Sequence, residues 1–153
     1  MVIRRARPED YCEVHHIVRE TISKVYPKYY PPAVVNFFLE HHSKDRVKEA
    51  VGKEIILVAM EDKELVATAA LEKNHIKRMF VLPQCQGRGI GKRLIEALEN
   101  IALEQGYTTT LLDSSIPGFG LYFKLGYLVK EYNSITVENE EVLCYHLMEK
   151  RIE

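Results

Sequence analysis

The sequence predicts an α/β fold: a mixed, mostly antiparallel sheet with flanking helices. Three observations point to it. Short polar turns, Glu61-Asp62-Lys63-Glu64 and Glu72-Lys73-Asn74, join apolar runs into hairpins, whose strands pair antiparallel. One long amphipathic segment, from Ile90 to about Glu104, separates two strand-like runs and can cross between parallel neighbours. No repeat, low-complexity tract or linker divides the 153 residues, a length that suits one domain with a real core.

Val2 to Arg5 reads as a first strand. Pro8-Glu9-Asp10 opens a helix, because proline is tolerated and acids are favoured in a first turn. Tyr11, Val14, Val18 and Ile22 then share a helical face. Tyr26-Pro27-Lys28-Tyr29-Tyr30-Pro31-Pro32 is a loop. Ala33 to His42 forms a second helix, and a short helical piece spans Lys44 to Val51 before Gly52. Ile55 to Met60 is apolar on both faces, as in a central strand. Leu65 to Leu71 returns beside it, and His75 to Val81 follows as the next strand. After the long helix, Thr108 to Asp113 is β-rich. Phe119 to Leu125 is a short helix ended by Gly126, and Tyr127 to Tyr132 and Val142 to Met148 close the sheet as a pair.

Composition narrows the function. Hydrophobic content of 46% and charged content of 28% are ordinary for a globular protein. A net charge of −1 gives no global basic character for nucleic acid. No apolar run approaches the roughly 20 residues of a membrane span, and Pro8-Glu9-Asp10 stands where a signal peptide would have its apolar core. Cys12, Cys85 and Cys144 are odd in number and far apart, which suits free thiols in the cytoplasm.

The most specific segment is Val81-Leu82-Pro83-Gln84-Cys85-Gln86-Gly87-Arg88-Gly89-Ile90-Gly91-Lys92. A strand ends at proline, a glycine-rich turn follows, and a helix begins. Such a turn presents main-chain N–H groups and a helix N-terminus to an anion. The P-loop pattern fails at both ends, with Gln86 at its first glycine and Arg93 after Lys92. The dinucleotide fingerprint fails because the spacing is G-x-G-x-G. The pattern Q/R-x-x-G-x-G/A fits fully as Gln86-Gly87-Arg88-Gly89-Ile90-Gly91. It resembles the acetyl-CoA loop of the GCN5-related N-acetyltransferase (GNAT) superfamily. A second segment, Gly118-Phe119-Gly120-Leu121-Tyr122-Phe123-Lys124-Leu125-Gly126-Tyr127, resembles that family's A-x-x-F-Y-x-K-x-G-F signature. The element order matches the family across essentially the whole chain.

The resemblance implies a single N-acetyltransferase domain over residues 1–153, with central parallel strands that splay apart. It implies acetyl-CoA as acetyl donor, no metal, and direct attack of a neutral amine on the thioester. Main-chain groups at Met79, Phe80 and Val81 and the loop Gln86, Gly87, Arg88, Gly89, Ile90, Gly91 and Lys92 would hold the cofactor, with Ser115 where relatives carry an asparagine. Tyr122 aligns with the tyrosine that donates to the leaving sulfur; a phenol of pKa ~10 stays protonated at neutral pH. Thr110 stands where some relatives place a glutamate base, and it cannot serve. Glu72 and His75 are the base candidates, and a histidine's intrinsic pKa of ~6.5 suits proton transfer. Asp113 reads as a cap for the loop after it.

In residues 26–38, Phe37 or Phe38 reads as core and Tyr29 or Tyr30 as acceptor-pocket lining. His15-His16 and His41-His42 have no metal-binding frame around them. The acceptor reads as a small amine. A protein or peptide acceptor, or a silent CoA-binding sensor, remains the alternative. Val142, Leu143, Tyr145 and Leu147 alternate little with polar residues, and with the family habit of pairing through the last strands this suggests a homodimer.

Overall fold

In a computed structural model describing residues 1–153, one seven-stranded sheet organises the chain. The strands are β1 Val2–Arg5, β2 Ile55–Glu61, β3 Glu64–Glu72, β4 His75–Val81, β5 Thr109–Ser114, β6 Leu128–Thr136 and β7 Val142–Arg151. The helices are α1 Tyr11–Val25, α2 Pro32–His41, α3 Lys44–Val51, α4 Ile90–Glu104 and α5 Ile116–Lys124. Spatial strand order is β1-β2-β3-β4-β5-β7-β6, and every neighbouring pair is antiparallel except β4–β5. The expected mixed sheet is thus present, with α4 as the crossover between its parallel strands.

Strand β3 is buried along nearly its whole length, because α1 and α4 both pack on it. Val14, Ile17, Val18 and Ile22 of α1 and Leu94, Ile95, Leu98 and Ala102 of α4 supply the apolar faces. A buried polar chain ties α4 to the far half of the sheet. The Tyr127 hydroxyl donates to Glu99 at 2.8 Å, lies 2.8 Å from the Thr110 hydroxyl, and Lys150 donates to the same carboxylate at 3.0 Å. Thr110 is completely buried in this network, on the side of β5 facing α4. The position aligned with the family glutamate therefore does not face an acceptor.

Three elements differ from the sequence reading. Helix α5 starts at Ile116, three residues before Phe119, because Ser115 is extended (φ −76°, ψ 166°) and Pro117 sits in the first turn, where proline is accommodated. Read linearly, Pro117-Gly118 looks like a breaker. Strands β6 and β7 run on to Thr136 and Arg151: β6 pairs with β7 from Leu128↔Glu149 to Thr136↔Val142 across a register shift after Val129, and the end of β7 pairs with β5 at Thr110↔Lys150 and Thr109↔Arg151. Tyr127 precedes β6, and it is buried as part of the network above.

Two irregularities position the site. On β4, pairing with β3 passes from Thr68↔Phe80 to Ala70↔Lys77, so Arg78 and Met79 together oppose Ala69. Arg78 takes φ +47° there, a left-handed conformation that costs a non-glycine residue about 1–2 kcal/mol. Strands β4 and β5 stay paired for only His75↔Leu111 and Ile76↔Leu112. Beyond Ile76 the β5 side of β4 is open.

Strand β1 is fastened to the start of α1 by Asp10, which accepts from Arg4 at 2.7 and 3.2 Å and from the Arg7 N–H at 2.7 Å. The hydrogen bond from Arg4 holds this buried carboxyl below its usual range. A depressed folded-state pKa stabilises above the unfolded value and is lost as pH falls through the folded one. Asp10→Asn is expected to cost about 1–3 kcal/mol at neutral pH. Urea denaturation at about pH 3 should show the gap to the parent protein narrowing; a constant gap would remove the charge from the explanation.

Candidate active site

Opening the β5 side of β4 frees main-chain groups. The Leu82 N–H bonds Val66 O at 2.9 Å on the β3 side. Alternation then turns the N–H and C=O of Val81 the other way, into the gap left by β5. There the Val81 carbonyl accepts from Gln86 Nε2 at 2.9 Å and Thr21 Oγ1 at 3.3 Å. The Val81 N–H keeps no strand partner on that side. Gln86 thus folds the glycine turn back against the strand end.

Gly87 (φ +78°) and Gly89 (φ +80°) are left-handed, and a Cβ on either would meet nothing within 4 Å. Glycine is needed there for backbone shape, not for lack of room. Gly89 is the N-cap of α4 and has no side chain to satisfy the first-turn N–H groups. Gly91 is different: its Cβ would come 3.1 Å from Leu121 and 3.5 Å from Met79, so α4 packs closely on α5 and β4. The result is a groove of about 450 Å³, lined by Met79, Phe80, Val81, Gln86, Gly87, Gly89, Ile90, Gly91, Lys92 and Ser115. All these residues were expected at the cofactor. Arg88 belongs to the same turn and was expected at the cofactor too, but its guanidinium is held by Glu61 on β2 and the residue does not line the groove. Buried Cys85 also lines the groove.

Tyr122 lies just behind the groove wall, against Gly118. Its ring is buried, and a Cβ on Gly118, a groove residue, would be 2.8 Å from its Cε2 and 3.5 Å from its hydroxyl. The hydroxyl has no hydrogen bond within the chain, yet it is not among the enclosed unpartnered polar atoms. Burial, with Tyr26 nearby, pushes its pKa above the usual tyrosine value, so the group stays a phenol with a proton to donate.

A second, larger cleft of about 880 Å³ lies beside the groove. Tyr26, Phe37, Phe38, His41 and His42 form one wall, β4 from His75 to Phe80 forms the floor with Asp113, and Ile135, Leu143 and Tyr145 of the last hairpin form the other wall. The two spaces share Tyr26, Met79, Phe80 and Ser115. The junction is therefore the splayed end of β4, where the Tyr26 hydroxyl stands 3.4 Å from Ser115 Oγ.

Both base candidates lie in this second cleft. Glu72 is bound by Lys77 at 2.7 Å, and that hydrogen bond holds its carboxyl below the usual range. His75 Nε2 is 3.2 Å from Asp113 Oδ2. Asp113 thus pairs with a histidine across the parallel strands and does not cap the following loop, because its side chain projects to the cleft face of β5. The aromatic assignment also changes. Tyr30 is buried, with its hydroxyl accepting from the Ile116 N–H at 2.7 Å, and Tyr29 lies in the groove. Tyr26, Phe37 and Phe38 wall the second cleft. Sequence reading missed Tyr26, His42 and the pair of Arg78 with buried Glu54. An arginine and glutamate far apart in sequence carry no local signal.

Residues 25–151 match the acetyltransferase (GNAT) domain family. The chain belongs to this family. A peptidyl-lysine N-acetyltransferase, YjaB of Salmonella typhimurium, is 27% identical over 132 residues, covering 83% of each chain. The fold superposes on a GCN5-related N-acetyltransferase structure from Rhodopseudomonas palustris at a TM-score of 0.90, with 25% identity over 98% of this chain and 94% of that one. The PaiA N-acetyltransferase of Thermoplasma acidophilum, solved with coenzyme A, matches at 0.79 with 22% identity over 98% of both chains. As a GNAT acetyltransferase the protein is an acetyl-CoA-dependent N-acetyltransferase. The cradle described above fits the coenzyme: uncapped N–H groups at a helix start suit a diphosphate, and the groove leads to the free edge of β4.

Gly118→Ala restores the alanine usual in the family signature, yet in this chain it would drive into the Tyr122 ring. It should lower kcat by about tenfold or more while the folded state survives. Steady-state rates alongside a thermal melt check this; unchanged kcat would show that the ring position is immaterial.

Proposed function

We propose that this protein, as one acetyltransferase domain over residues 1–153, moves the acetyl group of acetyl-CoA to the primary amine of a small molecule by direct attack. One observation carries the choice of acceptor. The turn at the tip of the last hairpin, Glu138–Glu140, reaches α2, and neighbouring Val137 packs on the core. A peptide acceptor would need an open groove between α2 and that hairpin. Here their contact walls the space into a cleft. A second reading, a lysine side chain of a protein, is favoured by the name of the Salmonella relative.

The residues divide the work as follows. Main-chain N–H groups from Gln86 to Lys92 hold the diphosphate, and the free N–H of Val81 faces the thioester carbonyl, with Met79 and Phe80 lining the groove beside it. As the amine attacks, negative charge on that oxygen is met by fixed donors. The C–S bond then breaks, the sulfur takes the Tyr122 proton, and the second proton shed by the new amide nitrogen restores the phenol. Tyr122 suits this role because its hydroxyl has no competing partner in the chain. The ammonium must first lose a proton. His75, oriented by Asp113, is the better acceptor, since Glu72 is committed to Lys77. Four residues separate His75 from Met79, roughly 13 Å of strand, so the proton passes through water in the cleft. A homodimer would use the edge strand β6, where Leu128 and Tyr132 are exposed.

Thiol release from acetyl-CoA across amines and lysine peptides tests the reading. Small amines should turn over well ahead of peptides; the reverse order would favour the protein acceptor. Tyr122→Phe should reduce kcat by about 10²–10³-fold with the KM for acetyl-CoA nearly unchanged. An unaltered kcat would remove Tyr122 from the chemistry.

A further inference from the structure

One corner of the acceptor cleft has hydrogen-bond donors to spare. The carboxylates in and beneath the cleft are all taken. Glu72 is held by Lys77 at 2.7 Å, Asp113 lies 3.2 Å from His75, and Glu54 is held by Arg78 with Lys77 3.6 Å away. A second cation on the acceptor, as in a polyamine, finds no free carboxylate there. The donors are in surplus. A guanidinium has five N–H groups, and Arg78 commits only Nη1, to Glu54. Its Nε is enclosed without a partner in the chain.

The other enclosed side-chain atom without a partner is Nδ1 of His42, and His42 and Arg78 line the same cleft. Burial, with help from the charges of His41 and Arg78, pushes the His42 imidazole down to about 3. It is therefore neutral at working pH, with one N–H to give. His42 also stands edge-on to Phe80, at the junction of the two clefts, with ring centroids 5.4 Å apart. Arg78 directly precedes Met79 at that junction, and the β4 bulge sets its aim. A group held by Arg78 is thus close to where the reacting amine must arrive.

We infer that Arg78, assisted by His42, binds a carboxylate of the acceptor, so that the acceptor is a small amine that also carries a carboxyl group. The inference rests on the small-amine reading above. A carboxylate accepts the paired N–H groups that a guanidinium offers, and it discharges the local surplus of donors. A bare alkylamine or a polyamine leaves that surplus unmet.

Matched acceptors test it: glycine against methylamine, β-alanine against ethylamine, and longer ω-amino acids against alkylamines lacking only the carboxyl. With acetyl-CoA and thiol release as readout, the best amino acid should exceed its partner amine by about tenfold or more in kcat/KM, the difference lying in KM. Arg78→Gln should erase that preference and leave the alkylamines within about twofold of their parent values. Because Gln leaves Glu54 buried without its cation, Arg78→Lys is the second variant. It keeps a charge for Glu54 but loses the planar fork, and should lose most of the preference with an unchanged melting temperature. Equal kcat/KM within every pair, or a preference that survives both variants, would overturn the inference and leave the small-amine reading standing. If coenzyme A binds but no amine of either kind releases thiol, the small-amine reading itself falls and the inference with it.

Discussion

Strands β4 and β5 are held together by only two paired positions, and their parting makes the site possible. A β4 paired along its whole length would spend its N–H groups on the neighbouring strand. Here the bulge at Arg78–Met79 turns the strand, and Pro83 follows the strand end. The carbonyl of Val81 that would have joined the ladder is instead satisfied by Gln86 and Thr21. Those two bonds make the opening tolerable, because a strand edge inside a protein must find partners somewhere. They also fix the glycine turn against the strand, and with it the start of α4.

Tyr122 shows the same economy of placement. A buried phenol normally finds a partner, as Tyr127 does with Glu99 and Tyr30 does with the Ile116 N–H. The Tyr122 hydroxyl has none, and its ring packs against Gly118, a residue of the groove wall. Burial keeps the proton on, and the missing partner leaves it available. The two facts together favour donation to a leaving group over a purely packing role.

What was legible in the sequence was what is encoded locally. Gln86 to Gly91 announces itself because spacing, glycine content and the following helix lie within a few residues, and the structure puts all of this segment except Arg88 along one groove. The hairpins and the α4 crossover were legible from periodicity for the same reason. The acceptor cleft was not, because four separate parts of the chain build it. Asp113 looked like a turn residue until the parallel register brought it to His75. Tyr26 looked like loop, but it stands at the junction of both spaces. Arg78 sits in a strand-like run whose bulge no alternation pattern reveals, and its partner Glu54 lies 24 residues earlier. Thr110 shows the converse hazard: the position matched to a family glutamate carries a side chain that belongs to the core.

The central claim is that the free edge of β4 and the N-terminus of α4 form one continuous cradle ending at Tyr122. A crystal structure of the protein with acetyl-CoA tests it most directly. The account predicts the diphosphate on the main-chain amides between Gln86 and Lys92, and the sulfur within hydrogen-bonding reach of the Tyr122 hydroxyl. Coenzyme bound elsewhere, or a thioester turned away from Tyr122, would contradict it.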